Sequence, residues 1–142
     1  MADLSSFATQ EKSDEGVWFP VKLYGNQKLP LAVLIYGDDS DVVAKYNRDK
    51  IRKMKIGKNG NTELDEDTID ELLDSADDNV VIRMGGISAY DWKKGERTDE
   101  PVTFGDKTLG NDKKSYRYLI EKIPAIKQFI TEKSNERTNF LA

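Results

Sequence analysis

Carboxylates, lysines and tyrosines are the groups of this chain that could do acid–base chemistry, because its 142 residues include no Cys and no His. Without Cys there is no thiol nucleophile, disulfide framework or thiolate metal site. Without His the commonest metal ligand and general base is missing, and Ser-His-Asp catalysis is excluded. The acidic run Glu63–Asp78 invites a calcium site. An EF-hand loop, however, needs alternating oxygen ligands, a Gly at its sixth position and a Glu at its twelfth. Asp65-Glu66-Asp67 has no such Gly and sits on a helical pattern, so a solvated helix face is the favoured reading. Gly105 and Gly110 have the spacing of a phosphate loop, but Asn111-Asp112 stands where Lys-Ser/Thr is required, and that match fails. No catalytic residue, cofactor or metal is assigned, and the chain is expected to bind macromolecules, not to be an enzyme.

The second charge cluster is basic. Lys45–Lys58 carries seven Lys or Arg against Asp49 alone. A helix touching phosphates would look like this. The plainer reading is neutralisation by Glu63–Asp78, which holds nine acids and no Lys or Arg, across the Asn59-Gly60 turn. The net charge of −4 argues against a general nucleic-acid binder. Trp18 and Trp92 are read as core anchors before ligand-stacking residues.

The elements that hold these groups follow from periodicity. Val17, Phe19, Val21 and Leu23 alternate with Trp18, Pro20, Lys22 and Tyr24, the pattern of a strand, and Pro20 makes it an edge strand or a strand interrupted there. Gly25–Lys28 is a turn, and the apolar run Leu31–Tyr36 completes a β-hairpin. Asp38, Asp39 and Ser40 suit a helix start, and Val43, Asn47, Ile51 and Met54 give the following helix its spacing. Ile69, Leu72, Leu73, Ala76, Val80 and Met84 predict the next helix, although Asn79–Met84 also fits a short strand and Gly85-Gly86 weakens the helix end. Trp92–Gly110 reads as a long loop with an extended piece at Pro101–Phe104. Asn111 or Asp112 caps a helix bearing Tyr116, Leu119, Ile120 and Ile123, and Pro124 opens a new one.

The expected architecture is therefore α+β: an N-terminal β-hairpin packed on three to four α-helices, with a helix-rich C-terminal half. Residues 1–15 are expected as a flexible tail and 16–142 as a single domain, with the hairpin at 17–36 and helices at about 41–55, 66–84 and 112–135. Hydrophobic residues make up 37% and charged residues 34%, so a modest core must sit under a heavily solvated surface. No apolar run reaches the ~18 residues of a membrane span, and Met1–Gly16 lacks a signal core. The expectation is a protein of the cell interior.

The C-terminal end is the candidate contact surface. Ile126, Phe129 and Ile130 form an apolar stripe after Pro124, and Phe140 and Leu141 lie beyond the polar stretch Glu132–Thr138. Apolar residues at a terminus need a cover. The cover is either the domain's own core or a partner, which includes another copy of the chain.

Four pieces, in order, resemble one family. They are Leu34-Ile-Tyr-Gly-Asp-Asp-Ser40, leading into the basic helix, and Ile87-Ser-Ala-Tyr-Asp-Trp92 after the acidic-start helix. Glu100-Pro-Val-Thr-Phe104 follows, and then Tyr118–Ile130 running to Asn139-Phe140-Leu141. This order and spacing is similar to that of the tail assembly chaperones of long-tailed bacteriophages, from about Val17 to Leu141. Members usually carry Trp after the Pro, where this chain has Ala125. The resemblance implies a non-enzymatic protein of the host cytoplasm. It would coat the tape measure protein, recruit tail tube subunits and be absent from the finished virion. It also implies the short form of a protein that in many members has a frameshifted longer form. The rival expectations are a structural virion protein of the tail or head–tail connector, and a nucleic-acid-binding protein using Lys45–Lys58.

Overall fold

In the computed structural model, which describes residues 2–56 and 76–141, the alternating N-terminal segment forms β1 (Val17–Leu23), paired antiparallel with β2 (Gln27–Ile35). The turn between them needs left-handed backbone, supplied by Gly25 at φ 83° and Asn26 at φ 63°. Pro20 has no N–H to donate, and β1 is indeed the outer strand of a sheet ordered β1-β2-β3-β4. The expected hairpin is therefore present, but it is half of a larger sheet.

The larger sheet corrects two sequence expectations. The helix expected over about 66–84 is helical at 76–81 (α3), after which the chain turns into β3 (Met84–Asp91). Residues 66–75, with Leu72 and Leu73, lie outside the described residues. Gly85 and Gly86 do not end a helix here; they let β3 lie close to its neighbours. A Cβ on Gly85 would be 2.6 Å from the Tyr36 ring, and one on Gly86 would be 3.0 Å from Trp18. The expected long loop at 92–110 contains three short strands, β4 (Glu96–Thr98), β5 (Val102–Phe104) and β6 (Lys107–Leu109). Of these, β4 extends the sheet, while β5 and β6 form a hairpin of their own. Gly105, at φ 59°, turns that hairpin, so the phosphate-loop spacing is a β-turn.

One sheet face builds the core. Val21, Val33 and Ile35 face inward with Ile87, and α4 (Lys113–Lys122) and α5 (Ala125–Asn135) cover them. Ile120, Ile126 and Ile130 are fully buried there. Of the two residues expected as the cap, Asp112 is the one that caps α4, accepting the Ser115 amide at 2.7 Å. Asn111 does something else: its Oδ1 accepts the Ile87 amide at 2.8 Å. Because β4 pairs with β3 at Ala89–Asp91, Asn111 stands where a further strand would otherwise bond. Pro20 at one edge and the three-residue β4 at the other blunt the sheet against strand addition.

Two helices differ from expectation in how they seat. The expected tail at 1–15 includes α1 (Gln10–Glu15), in which Ser13 is buried. Its carbonyl accepts the Gly37 amide at 3.1 Å, and the Asp14 carboxylate accepts the Asp41 amide at 2.7 Å. A Cβ on Gly37 would lie 2.1 Å from Ser13 Oγ and 2.6 Å from its Cβ. Gly37→Ala is therefore expected to displace α1 at a cost of about 1–3 kcal/mol, seen as faster hydrogen exchange over residues 10–15. Meanwhile α2 (Asp41–Ile56) matches its expected span, but of its described stripe only Val43 is buried. Asn47 interrupts the stripe, and Ile51 is 53% exposed.

Candidate interaction surfaces

The C-terminal residues singled out from sequence divide cleanly. Ile126, Ile130 and Phe140 are buried, the last only 1% exposed, so their cover is the domain's own core. Phe140 meets the ring of Phe19 edge-on, with centroids 6.3 Å apart. It is delivered by a 3-10 turn, Arg137–Phe140, that packs against α1. Phe129 and Leu141 stay half-exposed, and Phe129 borders a shallow depression with Tyr24 and Glu132. The Lys133 ammonium lies 5.9 Å from the Phe19 ring and 5.7 Å from that of Phe129.

A groove that local sequence patterns do not reveal borders the core. It has a volume of about 500 Å³, within the ~300–1,000 Å³ range of ligand sites. Its walls come from the start of β2 (Leu29, Pro30), the residue after β3 (Trp92), β5 (Phe104), α4 (Leu119) and the residue that ends it (Ile123). The Trp92 indole N–H donates to the Leu29 carbonyl at 2.6 Å, Tyr90 packs edge-on at 5.1 Å, and Lys28 Nζ sits 5.3 Å from the ring centroid. These contacts hold the ring in one orientation. Phe104 packs edge-on against Tyr118 at 5.8 Å, and Tyr118 carries Lys107 at 3.8 Å and Lys122 at 5.5 Å. The sequence signal for this site is the set of aromatic residues and prolines, Trp92, Pro101 and Phe104, within an otherwise polar stretch.

The charged runs are only partly described. Lys45, Arg48, Lys50 and Arg52 are all exposed on α2, while Lys58 and Glu63–Asp74 lie outside the described residues, as does the Asn59-Gly60 turn. The two described acids of the run pair elsewhere than α2. Asp77 meets Lys127 at 2.8 Å, and Asp78 pairs with Arg117. Among the described residues, no group of three or more Asp or Glu stands close enough to hold a metal ion, and no helix is long and apolar enough to cross a membrane.

Asp39 is the carboxylate with the most defined setting. Burial works against its ionisation, but the Ser13 and Thr9 hydroxyls and its own amide donate to it, and with the Arg137 charge they hold its pKa below the ordinary 3.8. A lowered folded-state pKa stabilises above 3.8 and loses that contribution as pH falls through the folded value. The α1 seat is expected to loosen on acidification below about pH 4, with Asp39→Asn removing this acid dependence. Hydrogen exchange of residues 10–15 against pH is the measurement.

Comparison with protein-family models, with curated proteins and with solved structures gives no match to this chain.

Proposed function

We propose that this chain is a non-enzymatic tail assembly chaperone of a long-tailed bacteriophage. In this reading it binds the tape measure protein in the host cytoplasm and recruits tail tube subunits. The observation that carries the proposal is where the resembling pieces meet. Three of the four, ending at Trp92, spanning Pro101–Phe104 and including Leu119 and Ile123, line the one groove described above. Residues well separated in sequence thus converge on a surface suited to a partner.

The physical need fits such a surface. A long helical protein with much apolar area aggregates unless it is covered before the tube encloses it. A chain with blunted sheet edges and a −4 net charge can provide the cover without itself associating through its strands.

The test is co-expression with the tape measure protein of the same genome, followed by pull-down and by mass spectrometry of purified virions. Co-purification together with absence from virions is the expected result. Stoichiometric presence in virions would instead favour a structural protein of the tail or head–tail connector. The exposed cations of α2 keep a nucleic-acid reading in play. It predicts a strongly salt-dependent gel shift with duplex DNA, whereas the chaperone reading predicts none at physiological salt.

A further inference from the structure

We infer that the groove bounded by Trp92, Phe104 and Ile123 takes the apolar stripe of an amphipathic helix whose flanking positions are carboxylates. The inference rests on the chaperone reading for its expectation of a helical partner, and the groove itself supplies the chemistry.

Shape and lining come first. Leu119, in the last turn of α4, is 3% exposed and lines the groove from the core side, while Ile123, just past the end of that helix, is half-buried at its border. Together they give the groove an apolar wall. Opposite it stands Trp92, whose indole N–H is already satisfied by Leu29, so its ring offers apolar area with no unmet donor. A large aromatic fixed before binding loses little entropy on contact, which is the property of an interface anchor. Strand addition to the four-stranded sheet is disfavoured: β4 ends it after three residues, and Asn111 already bonds the Ile87 amide beyond it.

Charge selects the flanks. Lys28 lies over Trp92, and Lys93 belongs to the lining. On the other side Lys107 and Lys122 lie over Tyr118, which packs on Phe104. The lining carboxylates are Asp91, which accepts the amides of Lys93 and Lys94 at 2.9 and 3.3 Å and keeps its charge, and Glu100, so these four ammonium groups face two carboxylates. Ammonium groups stacked on rings keep N–H donors for a partner. A helix carrying Glu or Asp beside its apolar stripe therefore meets attraction on both sides, and one carrying Lys meets repulsion.

The experiment uses the full chain with Trp18→Phe, which leaves Trp92 as the sole indole. Two synthetic helical peptides with the same leucine stripe, one flanked by Glu and one by Lys, are titrated against it. The expected result is a saturable shift of Trp92 emission with the Glu-flanked peptide, and affinity about tenfold or more weaker with the Lys-flanked one. Phe104→Glu and Lys107→Glu, both at exposed positions, are expected to weaken the Glu-flanked peptide by about tenfold each. Hydrogen exchange over residues 98–104 of the unsubstituted chain reads the same binding should Trp18→Phe weaken the fold. Equal affinity for both peptides, no change at Trp92 and residues 98–104, or capture of an extended proline-rich peptide in preference to either, overturns the inference. Should the tape measure protein co-purify equally with the Phe104→Glu chain, the groove assignment fails and the chaperone reading stands. Should it fail to co-purify with the unsubstituted chain while the Glu-flanked peptide binds, the chaperone reading fails and the groove assignment stands.

Discussion

Replacing Phe140 by Ala will lower the free energy of unfolding by about 3–5 kcal/mol, the usual cost of truncating a buried aromatic ring. Phe140 is 1% exposed, one of the largest side chains fully withdrawn from solvent, and it stands edge-on to Phe19 of β1. Its loss opens a cavity between the C-terminal turn and the sheet. The effect will not stay local. The turn Arg137–Phe140 packs against α1, and Asn139 Nδ2 donates to the Lys133 carbonyl and to Glu136 Oε2, both at 3.2 Å. Deleting residues 139–142 removes the ring and the Asn139 bonds together and should destabilise at least as much. Chemical denaturation of the two variants beside the intact chain is the measurement. An unmoved midpoint for Phe140→Ala would mean that the ring is not a core residue in solution. It would return the C-terminal end to the role of a docking segment.

What the sequence revealed and what it hid divide along the range of the interactions. The β1–β2 hairpin, the span of α2, the Asp112 cap and the break at Pro124 were legible because each is written in neighbouring residues: alternation, a capping side chain, a missing N–H. The strand β3 was not. Val80, Val81 and Met84 continue a helical spacing into it, and the two glycines that follow, Gly85 and Gly86, make sense only beside Tyr36, Trp18 and Leu34. The docking of α1 was hidden for the same reason, since nothing around Ser13 announces that Asp39 and Gly37 will receive it. The apolar character of Ile126, Ile130 and Phe140 was plain, but which surface covers them is a tertiary matter. The groove was the least visible feature. Its walls come from four separated segments, and only Trp92 and the Pro101–Phe104 piece stood out from their surroundings.

Removing Asp38 will cost more than removing Arg83, although the two form one ion pair. The Arg83 guanidinium is buried, its side chain 7% exposed, and its Nη1 donates to Asp38 Oδ1 at 2.7 Å and to Ser134 Oγ at 2.9 Å. Ser134 in turn donates to the Tyr36 carbonyl at 2.8 Å, and the Asp38 amide donates to the Ser134 carbonyl at 2.9 Å. The cluster therefore ties the loop after β2, the turn into β3 and the end of α5 at one point, and it sets where α2 leaves the core. Asp38→Ala leaves a largely buried guanidinium without its carboxylate, and breaking a fully buried pair costs about 3–5 kcal/mol. Asp38 is itself 53% exposed, so part of its attraction is already screened and a cost of about 2–3 kcal/mol is expected. Arg83→Met reverses the geometry. The carboxylate left behind is half in water and rehydrates, Ser134 keeps its bond to Tyr36, and the methionine chain refills part of the space, so about 1–2 kcal/mol is expected. Denaturation of both single variants and of the double variant closes the cycle, and the double variant should lie nearer to Arg83→Met than to the sum of the two. A larger loss for Arg83→Met than for Asp38→Ala would show that the guanidinium is held by its neutral partners, Ser134 and Asn79, and that its charge needs no compensation from Asp38.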